Sequence, residues 1–154
     1  VSSMQSSSLQ ELMSTNTKDK MTAFEAAESA IRAAEEFLDG TGAINLSAFD
    51  NDESDGLLAN LFDEAWNEPS IDWTGNNSDA IEVDVMGGVN SRPRYVIQYI
   101  GPVDTDNNGQ LNVDNSYGAG VTDSVVDMFK ITARGTGGSD NTVVVLEAMY
   151  GVSN

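Results

Sequence analysis

From Ser8 to Leu38 the chain runs without a glycine or a proline and is rich in Ala, Glu, Met and Leu. Those residues lose little on entering a helix, so one long helix is the first element the sequence dictates. At 1.5 Å per residue it would reach about 45–55 Å, longer than a domain of this size needs. Phe24, Ala27, Ile31, Ala34 and Leu38 recur at alternating three- and four-residue steps and fall on one stripe, the expected helix–sheet core. Leu9, Met13, Asn16 and Lys20 continue that stripe in a far more polar form. The spacing therefore predicts a buried C-terminal half and an N-terminal half that projects or meets another subunit. Gly40 and Gly42 are suitable stops.

Beyond the helix the periodicity changes. Leu57, Leu58, Leu61, Phe62, Ala65 and Trp66 predict a short amphipathic helix within a connecting region, 41–77, with Asp52, Glu53 and Asp55 near its positive end. Trp66 and Trp73 are expected as core plugs or lids rather than ligand platforms. From Ile81 to Val85 the period is two. Arg94 to Ile100, Met128 to Ala133 and Thr142 to Tyr150 predict three further strands, with a Gly-rich hairpin loop from Gly135 to Asn141. One helix followed by consecutive strands, without helical crossovers, predicts an α+β fold. The long N-terminal helix would pack on a four-stranded antiparallel sheet within a single domain, 1–154.

Charge narrows the function classes. With 25 acidic and 7 basic residues the formal charge is -18. Phosphate backbones are bound by Lys/Arg surfaces, so nucleic acid is not an expected partner, nor is an anionic membrane surface. A cationic partner, a divalent metal or adaptation to salt fits better. The chain has no Cys and no His. That removes disulfides, thiol catalysis, the commonest general base and the commonest transition-metal ligand. Carboxylate runs such as Glu35–Glu36 or Asp50, Asp52 and Glu53 read as solvated faces, and no catalytic residue is assigned. Arg92 and Arg94, flanking Pro93 at a strand start, are expected to pair with neighbouring carboxylates.

The runs Ser8–Met13, Asn16, Asp19–Lys20, Ala23–Glu28 and Ile31–Glu35 resemble the amphipathic half of the first helix of PilX-type minor pilins. Phe129–Gly138, with Asn141 and Val143–Leu146, is similar to the end of that family, and Pro93–Tyr99 fits its middle strand. The resemblance implies a pilin-like fold and a structural, non-enzymatic subunit that helps prime type IV pilus assembly and supports adhesion or motility. It implies other minor pilins, the major pilin and a tip adhesin as partners. It also implies an inner-membrane anchor with a periplasmic domain before assembly, then a place in the extracellular pilus. The family's hydrophobic first helix half is missing here: no apolar run approaches the roughly 20 residues that span a bilayer, and Val1 falls inside the predicted helix. A segment removed ahead of Val1 is the expectation. Two other readings stay open, a minor pseudopilin of a type II secretion system and a calcium-binding extracellular module.

The module reading rests on Asp104-Thr105-Asp106-Asn107-Asn108-Gly109-Gln110-Leu111-Asn112. Oxygens at Asp104, Asp106 and Asn108 alternate as in the first half of an EF-hand loop, Gln110 would add its carbonyl, and Asp114 would replace the twelfth-position Glu, where Asn115 stands. Hard oxygen ligands suit Ca2+, the one cofactor the sequence proposes. The competing reading is an Asx-rich surface turn within the acidic loop, 101–123. Calorimetric titration with calcium separates the two.

Overall fold

The structure, a computed structural model, describes residues 2–40, 44–50, 55–59, 71–75, 78–84, 87–104 and 125–153. Helix α1 spans Ser2–Gly40, 39 residues, and runs two residues past the predicted end at Leu38. Its threonines do not break it. Thr15, Thr17 and Thr22 donate their hydroxyls to the carbonyls of Glu11, Met13 and Lys18, one turn back, at 2.9, 2.9 and 3.1 Å.

A short 3-10 turn, Leu46–Ala48, follows. Five strands then form one sheet: β1 (Leu57–Leu58), β2 (Ile81–Glu82), β3 (Arg94–Asp104), β4 (Val125–Thr136) and β5 (Val143–Ser153). The order is β1-β3-β4-β5, and β2 also pairs with β3. This corrects the expectation of four antiparallel strands. β1 runs parallel to β3, with Leu57 opposite Ile97 and Leu58 opposite Gln98. β2 is antiparallel to it, with Ile81 opposite Tyr95. Leu57 and Leu58 therefore lie in a strand rather than in the expected short helix; the rest of that helix, with Trp66, lies outside the described residues. A two-residue strand shows no period, and a short apolar run cannot be told from a helical turn by pattern. What fixes β1 is backbone: the Gly56 carbonyl accepts the Ile97 N–H at 2.8 Å. Gly56 holds φ at 73° with Ile81 and Asp79 packed so tightly against it that a side chain would collide.

The three long strands carry the fold. Alternation along β3 and β4 sends Tyr95, Ile97, Phe129, Ile131 and Ala133 toward α1, where they form one core with Ala30, Ala34, Leu38 and Phe49. The rings of Phe49, Tyr99 and Phe129 stack as a tilted triangle, with centroids 5.3 to 6.2 Å apart. On the opposite face Val96 is covered by Leu58, Ile71, Trp73 and Ala80. The segment between helix and long strands thus returns over the far side of the sheet.

The helix contact is built from alanine. Ala23, Ala27, Ala30 and Ala34 are fully buried, Ala26 nearly so, and Leu38 closes the row. Of the five expected stripe residues, Ala27, Ala34 and Leu38 lie on this face, Ile31 packs at its margin, and Phe24 is 44% exposed. Phe24 is displaced because of Gly135 in β4. A Cβ built on Gly135 would collide with the Ala23 carbonyl oxygen and lie 2.5 Å from the Ala27 nitrogen and 3.0 Å from the Ala26 Cβ. Backbone meets backbone here, and a phenyl ring has no room. Gly135→Ala should accordingly lower the unfolding free energy by at least about 2 kcal/mol in urea titration. Gly40→Ala, where nothing lies within 4 Å of the added methyl, should change it by less than about 1 kcal/mol. Equal stabilities for the two variants would contradict the close-approach account.

Candidate functional site

The helix is fastened to the sheet at two points. At the first, the Asp19 carboxylate accepts the Gly138 backbone N–H at 2.5 Å, the Ser139 hydroxyl at 3.0 Å and the Thr142 hydroxyl. All three donors belong to the turn between β4 and β5. That turn is shaped by its own hydrogen bonds, Gly137 N–H to the Thr142 carbonyl at 2.9 Å and Thr142 N–H to the Ser139 carbonyl at 3.2 Å. Gly137 is again a contact position: an added Cβ would lie 2.5 Å from the Asp19 Oδ1. At the second point, the Tyr150 hydroxyl of β5 shares its proton between both Asp39 oxygens, each 2.9 Å away. The two fasteners are 20 residues apart in sequence, about 30 Å along the helix.

N-terminal to Asp19 the helix leaves the sheet. Every described side chain from Ser6 to Lys18 is exposed. Leu9 is 61% accessible, Leu12 58% and Met13 69%. Their three- and four-residue steps through Asn16 and Asp19 to Ala23 keep them on the stripe that, one turn further on, is buried against β4. One helical face therefore serves two halves of the molecule: covered by the domain's own sheet in the C-terminal half, uncovered among the described residues in the N-terminal half. Met21 and Phe24 extend the exposed apolar area onto an adjacent face. No helix of the described residues is long and apolar enough to cross a membrane.

Among the expected metal ligands, Asp104 is the last residue of β3, its backbone paired with Val125. Asp106, Asn108, Gln110 and Asp114 lie outside the described residues. Arg92 and Arg94 do meet carboxylates. Glu82 bridges them, at 2.7 Å to each, and Arg92 also approaches Asp84 at 3.6 Å. Asp19, Asp39 and Gly135 are the structural determinants that sequence reading passed over. Gly135, expected as the first residue of the hairpin loop, instead lies inside β4, which runs on to Thr136, and only there does a glycine mark close backbone approach.

A long N-terminal helix is thus pinned lengthwise on a largely antiparallel sheet, with the N-terminal part of its apolar stripe open among the described residues. Residues 11–152 match the family described as Type IV pilus assembly protein PilX C-term, and the chain belongs to that family, whose members are components of the type IV pilus system. No curated protein and no solved structure matches the chain.

The Asp19 fastener has a pH signature. Hydrogen bonds from Thr142, Gly138 and Ser139 hold the Asp19 carboxyl below its ordinary value, against a desolvation that would raise it. A depressed folded-state value means that the stabilisation is present above the unfolded value near 4 and fades as pH falls through the folded one. Asp19→Ala should therefore lower the urea midpoint at pH 7, and the gap from the parent should close as the pH falls below about 4. A gap that persists unchanged at pH 2.5 would show that the carboxylate charge is not what holds the turn.

Proposed function

We propose that this chain is a minor pilin, a structural subunit that takes part in priming and assembling the type IV pilus and thereby in pilus-dependent adhesion or motility. The observation that carries the reading is the continuation of the alanine stripe into the uncovered Leu9–Leu12–Met13 surface. A lone domain gains nothing from a helix that projects several turns past its sheet with its apolar face open. A subunit that packs helix against helix gains a docking surface already aligned with the fold. The expected partners are other minor pilins, the major pilin and a tip adhesin. The expected location is the inner membrane with a periplasmic domain before assembly, then the extracellular filament. A structural rather than catalytic role agrees with a chain that has neither histidine nor cysteine.

The sheet-facing half and the open half can be separated experimentally. Leu9→Asp and Leu12→Asp alter exposed positions, so each should leave the domain's unfolding free energy within about 0.5 kcal/mol of the parent. Introduced into the full-length protein in cells, the same changes should sharply reduce its recovery in sheared pili and reduce surface piliation. Normal incorporation of both variants would remove the proposed surface. Normal piliation with a loss of protein secretion would transfer the protein to a type II secretion machine.

A further inference from the structure

On the sheet face turned away from α1, β3 and β4 bring two arginines directly opposite each other: Arg94 is paired in register with Arg134. Two adjacent cations on neighbouring strands repel unless something neutralises them. Arg94 is provided for. It is 9% exposed, and its guanidinium donates to Glu82 Oε2 at 2.7 Å and to the Gly75 carbonyl at 2.8 Å. Arg134 is not. Among the described residues it has no ion pair, and its guanidinium carries no hydrogen bond. Burial and the neighbouring Arg94 charge push Arg134 below the ordinary arginine value, and the nearby Asp140 offsets this only in part.

Both arginines, Trp73 and Asp140 line one cavity of about 210 Å³. Trp73 is itself 9% exposed, and its indole Nε1–H, closed to solvent, has no acceptor among the described residues. Asp140 is already engaged by the Asn90 side-chain amide. The cavity therefore presents a half-buried cation that has no ion pair among the described residues. What is missing is an oxygen acceptor carrying negative charge.

We propose that this cavity binds a single carboxylate group, held by the forked guanidinium of Arg134 beside Trp73. A carboxylate matches the planar fork with two parallel hydrogen bonds. Asp140 on the same wall disfavours a doubly charged phosphate, because each added negative charge meets its repulsion. The carboxylate can come from an acidic side chain of a neighbouring subunit or from a small free acid. The site stands apart from the helix surface and does not rest on the filament reading.

Nitrogen-15 NMR tests it on the 154-residue chain. The chain has two tryptophans, so two indole N–H signals are present, and Trp66→Phe assigns the one from Trp73. Titration with propionate, a monocarboxylate, at constant ionic strength should shift the Trp73 signal saturably, while phosphate at the same concentrations should leave it in place. Arg134→Gln should raise the propionate midpoint about tenfold, the loss expected for one charge-assisted contact. Asp140→Asn should lower it, and Arg134→Lys, which keeps the charge and loses the fork, should fall between parent and Gln. The Lys and Asn variants keep the test decisive if the Gln variant does not fold. A peptide with a single Glu in a neutral sequence separates the sources: a saturable shift assigns the site to a subunit side chain, and a response to propionate alone assigns it to a free acid. No saturable shift with propionate, an equal response to phosphate, or a midpoint indifferent to every Arg134 and Asp140 change would each overturn the proposal.

Discussion

The approach of α1 to β4 at Gly135 is the constraint on which the rest depends. Because the strand carries no side chain there, the helix backbone comes down on it, and only small residues fit the seam. That is why Ala23, Ala26, Ala27, Ala30 and Ala34 form the buried row while larger apolar residues stand to either side. The same closeness brings Asp19 within reach of the turn after β4 and Asp39 within reach of Tyr150. Alanine seams bury little apolar area per residue, so the hydrophobic stabilisation comes from the other side of the contact. Phe129, Ile131 and Ile97 are fully buried beneath the helix, each worth about 1.5–3 kcal/mol against exposure. The helix acts as a lid positioned by backbone contact over a core supplied by the sheet.

Where the chain repeats a pattern over many residues, the fold was legible. The long helix and the three long strands follow from unbroken helix formers and from period-two alternation, and the structure extends them by a few residues. The shorter elements were legible only in part. The period-two run at Ile81–Val85 does open on a strand, β2, but it pairs over Ile81–Glu82 alone, and the two-residue β1 has its place decided by pairing with β3 rather than by any periodicity of its own. The error at Phe24 has a different origin. Hydrophobicity ranks phenylalanine above alanine as a core residue, but at a backbone-to-backbone seam volume outranks hydrophobicity. The information sat in Gly135, more than a hundred positions away.

The candidate surfaces divide in the same manner. The open Leu9–Leu12–Met13 stripe could be anticipated, since spacing alone places it in line with the buried row. Asp19 and Asp39 could not, because in sequence they are two of 25 acidic residues and nothing local distinguishes a fastener from a solvated charge. The pairing of Arg94 with Arg134 depends on strand register, which the sequence leaves open. A chain of net charge -18 gives no reason to look for two facing cations. The acidic loop beyond Asp104 contributes no structural argument, and its alternating oxygens remain an expectation from sequence.

The central claim is that one helical face is divided into a half that folds the domain and a half that assembles it. Hydrogen exchange along α1, measured first on the isolated domain and then on filaments containing it, tests that division most directly. In the isolated domain, amides of residues 23–38 should exchange only on global unfolding, and those of residues 6–18 should exchange far faster. In the filament, residues 6–18 should become protected. Uniform protection of the whole helix in the isolated domain, or residues 6–18 still unprotected in the filament, would contradict it.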